Sequence, residues 1–351
     1  MLTILSLANL SLPLEDPVLK FLVVLIIILF APILLNKIKV PHLLGLIIAG
    51  AIIGPNGFNI LARDSSIVVT GTTGLLYIMF LAGLEIDLAE FKKNKWKSIG
   101  FGFYTFAIPF VMGVMTSHFL FDFPWLTSIV FASIFSSHTL ISYPIVSKLG
   151  ISKSLPVNIT VGGTMITDIL ALLVLAICVG VTQGEVNAAF WTKISVSMVI
   201  FSIIVLFGFP ILGRWFFKKV SDNISQYIFV LVMIYLAALL AEIAGVEAII
   251  GAFFAGLALN RLIPHTSALM NRVEFVGNAI FIPFFLISVG MIIDFKVFFK
   301  DIKTIEIAVL MTVIAVFAKY FAAVATQKTF RLTKEQGGVI FGLSAAHAAA
   351  T

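Results

Sequence analysis

The chain has 351 residues, of which 60% are hydrophobic and only 11% charged, and its formal net charge is +6. Because an ordinary soluble domain has about 25% charged residues, this composition excludes a water-soluble globular protein. The basic residues lie in short loops between apolar runs and not in one stripe, which argues against a nucleic-acid partner.

Apolar runs recur along the whole chain and give it a mean hydropathy of +1.13. Since a helix needs about 20 residues to cross the hydrocarbon layer, these runs predict an all-α polytopic membrane protein. The runs do not alternate polar and apolar residues, as membrane-spanning strands do. The predicted spans are 20–35, 41–60, 67–84, 96–116, 125–147, 157–181, 190–213, 226–243, 246–262, 276–292, 304–326 and a twelfth that begins near 336.

The loops on the two sides of these spans differ in their lysine and arginine content. Sixteen of these residues fall on one side and six on the other, and the remaining one, Lys319, lies inside the eleventh span. The positive-inside rule predicts that the N-terminus lies outside and that the odd-numbered loops lie in the cytoplasm. The expected location is a cell (inner) membrane. Glu85 and Asp87 end the third span beside cytoplasmic lysines and are interpreted as anchors at the membrane interface.

Polar residues crowd the middle of the fifth span, "IFSSHTLISYPIVSK" at 134–148. Proline removes a backbone donor and clashes with the preceding turn, and unwound backbone inside a membrane is tolerated where it lines a cavity. We therefore predict a broken helix that holds a small ion. The alternative is a continuous helix kinked at Pro144. Ser137 and Thr139 are the predicted ion ligands here, and Ser136 and His138 are predicted to line the break.

The sixth span, with "GGTMITDILALLVLA" at 162–176, places Asp168 near its centre. An aspartate at the centre of a spanning helix costs about 2.5–3.5 kcal/mol on insertion scales, so it usually faces a partner or a wet cavity. Lys319 lies at a similar depth and is the predicted charge partner, since proximity lowers the cost of burying both groups. Two structural alternatives stay open: a permanently protonated Asp168, and a fixed ion pair with Lys319.

Three weak sequence matches recur in order at an offset of 206 or 207 residues. They relate span two to nine, three to ten and five to twelve, and a shift of seven spans reverses the direction through the membrane. This indicates an inverted-topology repeat; chance similarity among helices rich in small residues is the alternative. The matches are "GLIIAG" at 45–50 with "GAFFAG" at 251–256, "GLEIDLAEF" at 83–91 with "GMIIDFKVF" at 290–298, and Ser137 with Ser344.

The repeat divides one membrane transport domain, 1–351, into a first repeat at about 20–181, a linker span at 190–213 and a second repeat at 226–351. The last span stops partway across the membrane, so we expect a longer natural protein. Its "FGLSAAHAAAT" at 341–351 adds Ser344 and His347 to the predicted lining of the broken helices.

Other site chemistries find little support in the sequence. His138 and His347 lie in distant spans without a cysteine or a second intramembrane carboxylate beside them, so we expect no metal site beyond a transported monovalent cation. No phosphate-cradling loop, Walker sequence or nucleophile elbow occurs, which argues against an enzyme and against a cofactor.

Several stretches together resemble the monovalent cation:proton antiporter superfamily, in its Kef-like branch of sodium or potassium/proton exchangers. They are "FLAGLEIDL" (80–88), "TD" (167–168), "AEIAGVEAIIGAFFAGLAL" (241–259), "FFLISVGMIIDF" (284–295) and "AKYFAAV" (318–324). The resemblance covers about residues 20 to 351. It implies thirteen spans, a dimerisation domain that makes a homodimer, and a core with two crossed, discontinuous helices.

The resemblance also implies roles for individual residues. Asp168 matches the ion-carrying aspartate of the family, and Lys319 matches a basic residue of the core beside it. Strongly electrogenic relatives have a second acid before the aspartate and many electroneutral ones have asparagine, whereas this chain has Thr167. One exchangeable carboxylate remains, which favours one cation per proton.

A lone carboxylate is neutralised by either a proton or a cation, so competition for Asp168 couples the two. We therefore expect an antiporter that exchanges Na⁺ or K⁺ for H⁺ by alternating access, with Thr167, Ser137 and Thr139 as further oxygen ligands. The alternatives are a channel or uniporter on the same scaffold, a sensor that binds ligand without transport, and a transporter of organic anions with Na⁺.

Overall fold

The helices follow the apolar runs of the sequence from the first to the last. The computed structural model describes residues 12–36, 42–85, 88–138, 142–183, 188–264, 266–294, 296 and 302–346. Every secondary-structure element assigned in these ranges is a helix. The α-helices are α1 Pro17–Asn36, α2 His42–Ile53, α3 Ser65–Glu85, α4 Leu88–Phe119, α5 Trp125–Ser136, α6 Tyr143–Lys148, α7 Leu155–Gln183, α8 Ala188–Ile203, α9 Phe209–Lys219, α10 Asn223–Ile243, α11 Ala248–Leu259, α12 Ala268–Val276, α13 Ile282–Gly290, α14 Ile302–Thr329 and α15 Lys334–Ser344. Short π-helical turns join α8 to α9 and α12 to α13.

Each of the predicted spans contains at least one of these helices, which confirms the all-α class. In the described part of the chain, eight segments are long and apolar enough to cross a membrane. The helices α2, α5 and α11 have 12 residues each. At 1.5 Å per residue such a helix is about 18 Å long, which is less than the hydrocarbon layer of about 30 Å. The count of twelve spans therefore stays a prediction.

Two compact units make up the fold. Unit one consists of Met1–Tyr77 and Glu274–Glu306, and unit two of Ile78–Val273 and Ile307–Thr351. Each unit draws segments from both halves of the chain. The segments assigned to the two predicted repeats are therefore interleaved between the units.

In unit one, α2 and α13 approach each other closely because glycine lies at their contact. A Cβ on Gly50 would overlap the backbone of Ile287, and a Cβ on Gly290 would overlap the backbone carbonyl of Ile47. Small residues allow helix backbones in membranes to come this near, where van der Waals packing replaces the missing hydrophobic drive. A larger residue at either glycine would force the two helices apart.

In unit two, α3 and α11 meet in the same manner. A Cβ on Gly256 would overlap the backbone carbonyl of Phe80, and a Cβ on Gly83 would overlap that of Phe253. Gly256 and Phe253 lie 206 residues after Gly50 and Ile47, while Phe80 and Gly83 lie 207 residues before Ile287 and Gly290. Each unit thus contains one copy of the same helix contact, at the offset found in the sequence.

The start of α3 is fixed by an acidic cap. Asp64 Oδ1 accepts hydrogen bonds from the backbone N–H groups of Ser66 and Ile67, at 3.1 and 3.2 Å, and so satisfies free donors of the first turn. Its other oxygen accepts from Lys20 Nζ of α1 at 2.6 Å. The lysine and the cap hold the pKa of Asp64 at about 2, below its ordinary value of 3.8.

Candidate functional site

The predicted fifth span is interrupted near its centre. Its first part, α5, ends at Ser136, and α6 begins only at Tyr143. At Ser137 the backbone is extended, with φ −69° and ψ 152°, so the helical ladder stops there and the last carbonyls of α5 are free to bind other groups. Thr139, a predicted ion ligand, lies outside the described residues.

Asp168 lies in the middle of α7, which packs against α4 and α5. It is only 5% exposed. The hydroxyl of Ser137, the first residue after α5, donates a hydrogen bond to Asp168 Oδ1 at 2.9 Å. The structure therefore brings together two of the residues that the sequence selected, at the interruption of the fifth span.

Lys319 lies in α14 and is fully buried. Its ammonium donates to the backbone carbonyl of Ser136 at 2.6 Å and to both the carbonyl and the hydroxyl of Thr105, at 3.0 and 3.1 Å. It forms no ion pair within 4.0 Å of Asp168, although both residues are described. The lysine thus belongs to the same cluster as the aspartate, but oxygens of α4 and α5 accept the hydrogen bonds of its ammonium.

The position of Thr105 follows from a close crossing of α4 and α7. A Cβ on Gly102 would lie 2.9 Å from the carbonyl oxygen of Gly163, which is nearer than real Cβ atoms approach. The two helices therefore touch one turn before Thr105 on α4. Thr105 then contacts α14 through the ammonium of Lys319.

His138 follows Ser137 in the interruption and is fully buried. Its Nδ1 lies 3.4 Å from the ammonium of Lys319, and its Nε2 lies 2.8 Å from the hydroxyl of Thr164 on α7. The ring of Phe101 contacts it edge to face, with 6.2 Å between the ring centroids. His138 therefore connects the interrupted span to both α14 and α7.

The remaining predicted residues lie in different surroundings. The hydroxyl of Thr167 is buried and bonds back to the carbonyls of Thr164 and Gly163 in its own helix, at 2.7 and 3.1 Å. Ser344 is buried at the end of α15, where its hydroxyl donates to the carbonyl of Phe341 at 3.2 Å. His347 lies outside the described residues.

Two further residues of the cluster, Thr105 and Thr164, were not selected from the sequence. A signal for Thr164 was present, because Thr160, Thr164 and Thr167 follow helical spacing and end beside Asp168. Thr105 gives no such signal, since a single threonine in an apolar span commonly bonds to its own helix.

Glu85 corrects one interpretation of the sequence. We interpreted it as an interface anchor, but it is only 5% exposed. Its two carboxylate oxygens accept hydrogen bonds from Tyr143 Oη at 3.1 Å and from Ser147 Oγ at 3.0 Å, both on α6. The physical reason is that α6 folds over the end of α3, so the carboxylate binds the second half of the interrupted span.

An apolar layer lies next to the polar cluster, on the side where α7 begins. Phe101, Ile159, Ala323 and Ile340 form its buried centre. Phe101 precedes Thr105 by four residues on α4, and Ala323 follows Lys319 by four on α14, which corresponds to about 6 Å along each helix. The layer therefore lies about one helical turn from the cluster, towards the start of α4 and the end of α14.

Comparison with protein families and curated proteins gives matches over most of the chain. The family model described as "Sodium/hydrogen exchanger, transmembrane" matches residues 25–350. The Na⁺/H⁺ antiporter NhaS5 of Synechocystis sp. is 37% identical over 340 residues, which are 96% of this chain and 48% of that protein. The probable Na⁺/H⁺ antiporter 3 of Methanocaldococcus jannaschii is 29% identical over 309 residues, 86% of this chain and 78% of that one.

Among solved structures, the sodium proton antiporter MjNhaP1 of Methanocaldococcus jannaschii has a similar fold. An electron-microscopy structure of it gives a TM-score of 0.67 at 15% identity, over 94% of this chain and 85% of that one. At this identity the likeness concerns the fold alone. The chain spans about half the length of its Synechocystis relative.

Proposed function

Because this chain belongs to the sodium/hydrogen exchanger family of integral membrane proteins, we propose that it is a secondary active antiporter that exchanges Na⁺ or K⁺ for protons. The exchange would serve pH and cation homeostasis. The observation that carries the proposal is the buried carboxylate of Asp168, which accepts a hydrogen bond from Ser137 and has no direct ion pair with Lys319. The names of the related Na⁺/H⁺ antiporters support the choice of ions.

Coupling arises from competition for Asp168. A carboxylate with a fixed lysine counter-ion would be neutral without cargo, whereas the ammonium of Lys319 is directed at Ser136 and Thr105. A buried charge without a contacting counter-ion is costly in a membrane. Asp168 therefore passes between the two sides of the membrane only when a proton or a cation neutralises it. A proton released on one side obliges a cation to bind there, which gives one cation per proton.

The cation site that we propose consists of oxygen atoms around the interruption of the fifth span. Na⁺ and K⁺ are hard cations, which oxygen ligands suit. The carboxylate of Asp168 and the hydroxyl oxygen of Ser137 are the nearest pair. Thr167, whose hydroxyl hydrogen is bonded within α7, offers a lone pair, and Thr139 completes the predicted set.

We further propose that the chain is an inverted repeat and that α5–α6 crosses a second discontinuous helix that includes α15. Two observations support this. The contacts of α2 with α13 and of α11 with α3 use residues related by the offset of the sequence matches. The buried Ser344, which ends α15, is the repeat equivalent of Ser137, which follows α5.

The decisive experiment replaces the carboxylate. Asp168→Asn in proteoliposomes is expected to abolish the proton movement that a Na⁺ pulse drives, as reported by an internal pH dye. Asp64→Asn is the matched control, since it removes a carboxylate that caps α3 and takes no part in the cluster. Full exchange by Asp168→Asn in a folded, monodisperse preparation would refute the proposal.

Cation selectivity is tested on the same vesicles by titrating Na⁺, K⁺ and Li⁺ in turn. Cation flux that persists without proton movement would favour a channel, and no flux with any cation would favour a sensor. The proposed location in a cell (inner) membrane with the N-terminus outside is checked by labelling single cysteines in the loops. The proposed homodimer is checked by native mass spectrometry.

A further inference from the structure

His138 connects three parts of the site, and its two ring nitrogens face groups of opposite hydrogen-bonding character. Nδ1 lies 3.4 Å from Lys319 Nζ, and Nε2 lies 2.8 Å from the hydroxyl of Thr164. Because the imidazole is fully buried, water does not decide which nitrogen carries the proton. The neighbouring groups decide it.

The lysine determines the state of Nδ1. An ammonium has three donor hydrogens and no acceptor. A proton on Nδ1 would therefore place two donors against each other beside a full positive charge. Nδ1 is therefore the bare nitrogen that faces the ammonium, and it shares the hydrogens of Lys319 with the oxygens of Ser136 and Thr105.

The threonine determines the state of Nε2 independently. The hydroxyl of Thr164 donates its single hydrogen to the carbonyl of Thr160 at 2.8 Å. Its oxygen can then only accept from the imidazole, so Nε2 carries the proton. The two arguments agree and give one direction to the whole chain of bonds, from Lys319 through His138 and Thr164 to the carbonyl of Thr160.

This chain of bonds fixes the residue before it. Ser137 precedes His138 in the interruption; its N–H still donates to the carbonyl of Ser133 at 3.2 Å, but its own backbone is already extended. With His138 tied to α14 on one side and α7 on the other, the hydroxyl of Ser137 is directed at Asp168 and the carbonyl of Ser136 at Lys319. Any loosening of the imidazole would release both contacts together.

We propose that His138, as the neutral tautomer protonated at Nε2, is a positioning residue that holds the interrupted span in its cation-binding geometry by bridging Lys319 and Thr164. The inference rests on the proposed exchange of cations at Asp168. The imidazole touches neither cation nor proton in the exchange. It acts through Ser137.

Three substitutions separate its two bonds. His138→Asn keeps a carbonyl oxygen near the place of Nδ1, His138→Gln can keep an N–H near the place of Nε2, and His138→Leu keeps neither. In proteoliposomes, His138→Leu is expected to raise the half-saturating Na⁺ concentration about ten-fold, the effect of one or two lost hydrogen bonds, with little change in the maximal rate. The Asn and Gln variants should each recover part of the affinity.

An unchanged half-saturating concentration in a folded His138→Leu variant would overturn the proposal, and so would a loss confined to the maximal rate. A second measurement does not depend on transport. Histidine-selective ¹⁵N NMR of the full chain in lipid, with the His138→Gln spectrum as the difference, should show a bare Nδ1 and a protonated Nε2. Observation of the opposite tautomer would overturn the inference about His138 even if the protein exchanges cations normally. If the wild type shows the expected tautomer but no exchange, only the proposed function is refuted.

Discussion

Removal of the Ser137 hydroxyl is the most direct perturbation of the proposed cation site. This hydroxyl donates to Asp168 Oδ1 at 2.9 Å and stabilises the ionised carboxylate. In Ser137→Ala the donor is lost while the backbone and the small side-chain volume are largely preserved. The proton, which needs no such donor, then competes better for the carboxylate than the cation does.

The magnitude follows from the charge of the acceptor. A hydrogen bond to an ionised group contributes about 1.5–3 kcal/mol, and each 1.4 kcal/mol corresponds to about a factor of ten in affinity. The cavity left by one oxygen atom admits water that restores part of the bond, so the lower end applies. We expect the half-saturating Na⁺ concentration to rise about ten-fold at fixed pH, with a nearly unchanged maximal rate.

The assay is a Na⁺ titration of dye-reported proton movement in proteoliposomes, with Thr167→Val as the matched comparison. The hydroxyl hydrogen of Thr167 is bonded inside α7, so its loss should cost less affinity than that of Ser137. A half-saturating concentration within about two-fold of the wild type for Ser137→Ala would refute the reasoning, since that ratio is far below the value of a charged hydrogen bond. A larger loss in Thr167→Val would assign the main ligand role to that residue.

Three further predictions concern the frame around the site. Tyr143→Phe removes a hydroxyl that binds the buried carboxylate of Glu85. It should lower the free energy of unfolding of the purified protein by about 1–3 kcal/mol, the cost of a lost hydrogen bond to a charged group. An unchanged stability would show that α6 does not depend on this bond. Asp64→Asn should lower the free energy of unfolding by about 1 kcal/mol near neutral pH. Because the pKa of Asp64 is lowered to about 2, the stabilisation by its carboxylate is complete above about pH 4 and disappears towards pH 2. The difference in stability from the wild type should therefore shrink on acidification, and a constant difference would contradict the ion pair. Gly256→Ala, where a Cβ overlaps backbone, should destabilise the protein, whereas Gly338→Ala, which meets nothing within 4 Å in a helix, should be neutral or slightly stabilising; equal effects would contradict the close helix contact.

The broad features of the fold could be predicted because they depend on local sequence. An apolar run of sufficient length is a helix in a membrane wherever it lies in the chain. The interruption at Ser137 has a local cause as well, since hydroxyl residues and Pro144 make the middle of that span a poor helix. The contact of Ser137 with Asp168 follows from placing the two unfavourable stretches, in the fifth and sixth predicted spans, at one depth.

The partners of the buried charges could not be predicted in the same way. Lys319 bonds to the carbonyl of Ser136, and a carbonyl released by an interruption leaves no mark in the amino-acid sequence. Glu85 lies close in sequence to lysines and therefore resembled an interface residue. Its burial depends on Tyr143, which is 58 residues away and reaches it only after the chain has folded.

The ammonium of Lys319, bound at the C-terminal end of α5, is a cationic group that is covalently part of the protein. In the proposed exchange the lysine stays in place when the cargo leaves, and its ammonium already binds the oxygens of Ser136 and Thr105. At the proposed site a metal ion would have to be coordinated by the oxygens that remain, while a proton would need a single lone pair on the carboxylate. The cation and the proton therefore have different coordination requirements at Asp168. Shortening or removing the side chain of Lys319 should change the ratio of their affinities more than it changes either affinity alone.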